Sequence, residues 1–243
     1  MSSLTLESAA VRNRLLAALP ADERTRLLLR CRPVALPNEQ TLLAPREQVR
    51  YAYFPTDGVV ALLMVMADCT PVEVATVGSE GFISVESILG TEQSPYEVTC
   101  QTAVEALRVD VADLRAAFPE SAALRDLLLR YAAVVFSCTG RSLACKVNHR
   151  VEQRLARWLL MTRDRVRDDV LPMTQETLAR MLGVHRPTIS HAAETLQARG
   201  LITYHRGRIA ITDRRGLEAA SCEHYAEFRA VYEELLGPVP RAS

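Results

Sequence analysis

The sequence predicts an α+β fold in two domains, an antiparallel β sandwich followed by helices. Between Val34 and Val111 the apolar residues alternate or come in short runs bounded by Pro, Gly, Asn and Asp, which is how strands at close spacing read. From Ser121 the apolar period becomes helical, with no proline through Leu171. The chain has 243 residues, 49% apolar and 24% charged, enough for two cores when domains cluster near ~100–150 residues. That composition excludes disorder and collagen.

Taken in order, Glu7 to Arg32 carries Leu15, Leu16 and Leu19, then Leu27 and Leu28 after Pro20, so short helices precede the sheet. Strands follow in Tyr51–Pro55, Gly58–Met66, Val72–Val77 and Val98–Val109. Strands without intervening helices predict a sandwich of the jelly-roll kind rather than alternating strand and helix units. Next come Leu124, Leu127, Leu128, Tyr131, Val134, Val135 and Cys138, then Ser142 and Cys145, on an approximate seven-residue seam. One long helix, or two in succession, would present that seam to a second copy of the chain. Val151 to Arg165 is a further helix with Leu155, Leu159 and Leu160 on one face beside Trp158. The expected division is a sandwich over 1–120, a dimerisation helix over 121–149 and a last domain over 150–243.

The net charge is zero but unevenly placed. Residues 1–149 carry 14 basic and 17 acidic groups, residues 150–215 carry 13 arginines against 7 carboxylates, and the remainder 2 against 5. A segment of net +6 between two segments of net −3 is a polarity that phosphate binding exploits.

Within that segment, Thr174 reads as an N-cap, Gln175 to Leu182 as a helix, and Gly183 as its stop. A second helix opens at His185-Arg186-Pro187, where proline suits the first turn. Helix, glycine turn and helix make a helix-turn-helix. The front of its second helix offers Arg186, Thr188, Ser190 and His191, side chains that hydrogen-bond base edges in a major groove, while Ile189, Ala193 and Leu196 form the back. Gly200 to Tyr204 and Ile209 to Ile211 then make a two-stranded wing around Arg206-Gly207-Arg208, arginines placed for phosphates. The residues expected at DNA are therefore Thr174, Gln175, Arg186, Pro187, Thr188, Ser190, His191, Arg206 and Arg208.

The order of sandwich, long helix and winged helix-turn-helix resembles the bacterial transcription regulators of the cyclic-AMP receptor/FNR (Crp/Fnr) type. The residues that carry the resemblance are Thr174, Leu178, Ala179, Leu182, Gly183, Arg186, Thr188, Ile189, Ser190, Leu196, Gly200 and Ile202. It implies a homodimer, paired through the central helices, that places one recognition helix in each half of a palindromic operator. By position it gives Arg186 the reading of a guanine, and Thr174, Thr188 and Arg206 contacts with phosphates. Where the family commonly has an acidic or polar residue this chain has Pro187, and His191 replaces an arginine, so a different operator is expected.

The resemblance also implies a nucleotide cradle made of a Gly-Glu pair and an Arg-Ser or Arg-Thr pair. This chain has Gly81-Phe82-Ile83-Ser84-Val85-Glu86 at the first and Gln93-Ser94-Pro95-Tyr96 at the second. A buried phosphate without its arginine would cost several kcal/mol, so ordinary cyclic-AMP binding is not expected. Ser84, Glu86, Ser94 and Thr139 stay as candidates for an altered ligand pocket, open to another cyclic nucleotide or small effector.

No cofactor and no metal is expected. The six cysteines lack a C-x-x-C pair, Cys31 stands alone where an iron–sulfur cluster would need several, and the first histidine is His149. Cys145-x-x-x-His149 with Cys222-x-His224 could make a tetrahedral zinc or redox site if the last helix folds back; nothing in the sequence says that it does. Separately buried thiols and solvated imidazoles are the expectation there. No phosphate loop, G-x-S-x-G or H-E-x-x-H motif occurs, so no enzyme is expected. The longest apolar run, Val59 to Ala67, is short of the ~20 residues that span a bilayer. With no secretory pattern at Met1 to Ala10, a cytoplasmic protein is expected, free of membrane, whose partners are duplex DNA, a second copy and an unidentified effector, with RNA polymerase left open.

Overall fold

The computed structural model describes residues 3–237. Three short helices open the chain: α1 (Ser3–Arg12), α2 (Arg14–Ala17) and α3 (Ala21–Leu28). Seven strands follow: β1 (Cys31–Leu36), β2 (Thr41–Leu43), β3 (Tyr51–Asp57), β4 (Val60–Val65), β5 (Pro71–Val77), β6 (Glu97–Cys100) and β7 (Val104–Asp110). Helices α4 (Val111–Glu120), α5 (Ala122–Asn148) and α6 (Val151–Arg163) lead to β8 (Val170–Pro172), α7 (Gln175–Leu182), α8 (Arg186–Ala198), β9 (Ile202–His205), β10 (Arg208–Ile211), α9 (Arg214–Ala220) and α10 (His224–Leu236). Two compact units result, one from residues up to 62, 76–137 and 231 onward, the other from 63–75 and 138–230.

In the first unit, β7 pairs antiparallel with both β1 and β3, Phe54 lying opposite Leu107. A second sheet runs in the order β2-β6-β4-β5. Phe54, Val60, Ala61, Phe82, Val98 and Leu107 are almost fully buried; β3 and β4 are buried in continuous runs, as their short apolar runs imply, and β6 alternates. The apolar run Val98–Val109 divides in two, because Gln101 N donates to Val59 O and Val59 N donates to Thr102 Oγ1. These bonds hold the chain between β6 and β7 in a turn. Buried Asn13 caps α2 by accepting from Leu16 N and donates to Pro55 O and Gly81 O, each at 2.8 Å, so one amide ties helix, strand and loop together.

Gly81 is required by what lies beside it: a Cβ there would sit 2.0 Å from Tyr131 Oη. Tyr131 stacks near Phe82, whose ring lies 5.6 Å from that of Phe54. The segment where the resemblance implies a phosphate cradle is thus packed with aromatic rings.

The expected run of helix from Ser121 is two helices. Ser121 Oγ accepts from Leu124 N at 3.0 Å to start α5. After Asn148 the backbone turns extended at Arg150, whose N–H donates to Gln153 Oε1 and starts α6. The expected seam on α5 is corrected. Leu124, Leu127, Leu128, Tyr131, Val134 and Cys138 are buried by the chain itself, and Val135 is half-buried. The apolar residues left at the surface are Leu129, Phe136, Leu143 and Val147, with Ala133 and Gly140 between them. Both sets repeat at seven residues, and the sequence alone does not say which of the two the chain's own core claims.

In the second unit, α6 buries Leu155, Trp158, Leu159 and Leu160. Trp158 Nε1 donates to Glu73 Oε2 at 3.2 Å, on the end of the β4–β5 hairpin that belongs to this unit. The wing is a three-stranded sheet, β8-β10-β9, rather than a two-stranded one. Its third strand is Val170-Leu171-Pro172, too short to register as a strand in a tract that opens with charged residues.

Candidate nucleic-acid interface

Thr174 caps α7, its Oγ1 accepting from Thr177 N at 3.1 Å. Gly183 ends the helix in the left-handed region at φ 63°, a conformation that a side chain resists. The turn delivers α8 with Pro187 in its first turn. Ile189, Ala192, Ala193 and Leu196 are buried, as are Leu178, Ala179 and Leu182 on α7. Arg186, Pro187, Thr188 and His191 face solvent and Ser190 is half-buried. The front and back read from the sequence are therefore the front and back of the helix.

Gln175 couples the two helices. Its Oε1 accepts from Ser190 Oγ at 2.8 Å and from Arg186 Nε at 3.5 Å. Ser190 is thereby engaged inside the motif, and the Arg186 guanidinium is held at the front of α8 before any ligand arrives. Arg206 and Gly207 both take positive φ at the tip of the β9–β10 hairpin. Gly207 packs close to Thr174, a Cβ on it lying 3.7 Å from Thr174 Cγ2. The cap of α7 and the wing tip are neighbours, with Arg206 and Arg208 exposed. Tyr204 braces the wing by donating to Met173 O at 3.1 Å and taking Gln197 at its backbone N–H. Burial raises its phenol pKa, with the Arg186 charge opposing.

The basic surplus of the segment is only partly surface. Arg154 and Arg157 are buried, and Arg154 donates to Leu182 O. Arg163 pairs with Asp169, and Arg214 with Asp164 at 2.7 Å. These arginines serve the fold. Arg180, Arg186, Arg199, Arg206, Arg208 and Arg215 are exposed.

Of the pocket candidates, Ser84 is buried and donates to Tyr51 O at 2.9 Å, and Ser94 Oγ accepts from Tyr96 N at 3.2 Å. Glu86 lies half-buried in a 3-10 turn over Val85–Ile88. Arg115 on α4 clamps the same loop through Ser87 O and Thr91 O. Thr139 belongs to the other compact unit. Asn13, Gln175 as a bridge, Tyr204 and Arg115 were not legible as functional or organising residues, since each acts through a partner distant in sequence.

The structure corrects the expectation for the Cys/His set. The segment Cys222–His224 folds back onto the end of α5, and one donor atom each from Cys145, His149, Cys222 and His224 lies within 4.8 Å of the others. His224 is buried rather than solvated, and His149 is half-buried. The Cys145 and Cys222 sulfurs share a hydrogen bond at 3.5 Å, which pulls the Cys145 thiol down to about 4, with Arg157 and the two imidazoles adding to the effect. The same contact, together with burial, pushes Cys222 up.

A helix-turn-helix with an arginine-bearing wing, joined to a β sandwich by a long helix, defines a DNA-binding regulator. The comparisons agree domain by domain. Residues 153–220 match the model of the Crp-like helix-turn-helix domain and residues 33–121 that of the cyclic nucleotide-binding domain. The chain belongs to the Crp/Fnr type of transcription regulators. Among solved structures it is similar to FixK2 from Bradyrhizobium japonicum, with 14% identity, 79% of this chain and 98% of that chain covered, and a TM-score of 0.66. It is also similar to the c-di-GMP responsive global regulator CLP of Xanthomonas campestris, with 17% identity, 79% of this chain and 99% of that chain covered, and a TM-score of 0.60. A CRP/FNR-family regulator from Thermus thermophilus is 21% identical, with 78% of this chain and 98% of that chain covered and a TM-score of 0.61. No curated protein matches the sequence. No helix among the described residues is long and apolar enough to cross a membrane.

Proposed function

We propose that this regulator binds a palindromic DNA operator as a homodimer, one α8 entering the major groove of each half-site. The observation that carries the reading is the exposed front of α8, where Gln175 holds Arg186 beside Thr188 and His191, over a back that is fully buried. Arg186 reads a guanine edge, which presents two acceptors to a guanidinium. Thr188 and His191 face neighbouring bases or phosphates, and Pro187 stiffens the entering turn. Ser190 and Gln175 organise the arginine. Thr174, Arg206 and Arg208 sit on the phosphate backbone. Two copies meet along the exposed stripe of α5, Leu129, Phe136, Leu143 and Val147, which repeats at the seven-residue spacing of a helix pair.

The sandwich does not take cyclic AMP in the ordinary way, because Gln93-Ser94-Pro95-Tyr96 supplies no guanidinium to the phosphate and Ser84 and Ser94 already serve the backbone. A different small effector acting on this domain is the second reading, supported by its match to the cyclic nucleotide-binding model. The test is binding to an operator fragment across a salt series. Phosphate contacts by a dimer predict a log–log slope of several units, and a binding constant indifferent to salt would overturn the reading.

A further inference from the structure

Cys145 lies in the last turn of α5 and His149 just past its end, where its backbone N–H donates to Cys145 O at 3.1 Å, so the two residues, four apart, fall on one side. Cys222 and His224 flank Glu223 at the start of α10, and the fold sets all four donor atoms within 4.8 Å of one another. The two sulfurs are 3.5 Å apart. That separation is far beyond the ~2.05 Å of a disulfide and close to the ~3.8 Å edge of a tetrahedron with zinc–sulfur bonds of ~2.3 Å. Nδ1 of His149 and Nδ1 of His224 are both buried without a hydrogen-bond partner, and His224 is only 9% exposed. On its other side, His149 Nε2 lies 3.1 Å from Glu223 Oε2. A carboxylate on the far nitrogen is what orients a metal-bound imidazole and leaves its near nitrogen free to ligate.

We propose that Cys145, His149, Cys222 and His224 hold a zinc ion in a closed tetrahedral Cys2His2 site, with Glu223 positioning His149. Two thiolates balance the divalent charge of the ion. Four protein ligands leave no position for water or substrate, which makes the ion a structural one. It ties the end of α5 and the α5–α6 junction to the segment that opens α10, all within the second compact unit. The inference is independent of the operator reading, and its failure would leave that reading untouched.

The test uses the full-length chain, purified without a metal-chelating tag or column. Elemental analysis is expected to find about one zinc ion per chain. After chelator stripping under reducing conditions, titration with Co2+ is expected to give the intense visible bands of tetrahedral cobalt and a thiolate-to-cobalt charge-transfer band. Cys145→Ser and His224→Asn lose that spectrum. Glu223→Gln keeps all four ligands and is expected to weaken zinc affinity ~10–100-fold, which keeps the proposal testable if the ligand variants do not fold. A reduced wild-type chain, its two thiols free, that takes up neither ion overturns it. So does cobalt bound without the thiolate band.

Discussion

Phe136→Glu tests the dimer surface. Phe136 is 83% exposed and lies on the same face of α5 as Leu143 at 66% and Val147 at 76%. A buried aromatic side chain covers ~150–250 Å², so at ~25 cal/mol per Å² hiding the exposed part of this ring gives ~3–5 kcal/mol per copy. Twofold symmetry makes the contact twice, against an association cost of ~4–15 kcal/mol. Taking a loss of only ~2 kcal/mol per copy, as for a weak hot spot, the variant dimer is ~4 kcal/mol less stable and its Kd rises about a thousandfold. Sedimentation equilibrium over a concentration series reads that shift, and far-ultraviolet circular dichroism checks that the fold is kept, since the ring contributes little to the chain's own core. A charge at Tyr131, fully buried, is expected to unfold the protein instead. A Phe136→Glu dimer constant equal to that of the wild type would refute the assignment of the stripe.

Other perturbations separate base reading from phosphate holding and core packing. Arg186→Ala is expected to cost ~1–3 kcal/mol on the cognate operator and to relax one base position, whereas Arg206→Ala should weaken all sequences alike and lower the salt slope by about one; equal behaviour of the two in competition binding would contradict this. Gly81→Ala forces a methyl against Tyr131 and should destabilise the chain by ~1–3 kcal/mol in urea unfolding; an unchanged midpoint would refute it. Cyclic AMP at millimolar concentration should leave Tm unmoved, and a shift of several degrees would show a working cradle. Burial pushes the Cys31 thiol up to about 12 and that of Cys100 to about 11, from 9.0. The folded state therefore keeps protons that the unfolded state releases, so the contribution is full below pH 9.0 and is lost as pH rises through those values. Urea midpoints should fall above pH 9.0 and fall less in Cys100→Ala; identical slopes would contradict the cause.

The recognition motif was legible because its signals are local. Thr174, Gly183 and Pro187 fix where two helices start and stop, and Ile189, Ala193 and Leu196 lie on one face at helical spacing. The sandwich was legible as texture, although Gln101 and Thr102 split a run that reads as one strand, through bonds to Val59 that lie about forty residues away. The α5 seam failed for a physical reason: two apolar stripes share the helix, and only the packing of Phe82 on Tyr131 reveals which one faces the core. The Cys/His set needed the return of residues 222–224 to residue 145, a long-range closure that spacing cannot foretell. The charge count pointed to the correct segment but overcounted its surface, since Arg154 and Arg157 are buried and Arg163 and Arg214 are paired.

The measurement closest to the central claim is selection of bound fragments from genomic DNA by the purified protein at moderate salt, run beside Arg186→Ala. The account predicts that the wild type enriches a twofold-symmetric motif with half-sites one helical turn apart, ~10–10.5 base pairs, and that the variant loses the preference at one position in each half. Fragments without a shared motif, or the same motif recovered unchanged by the variant, would contradict it.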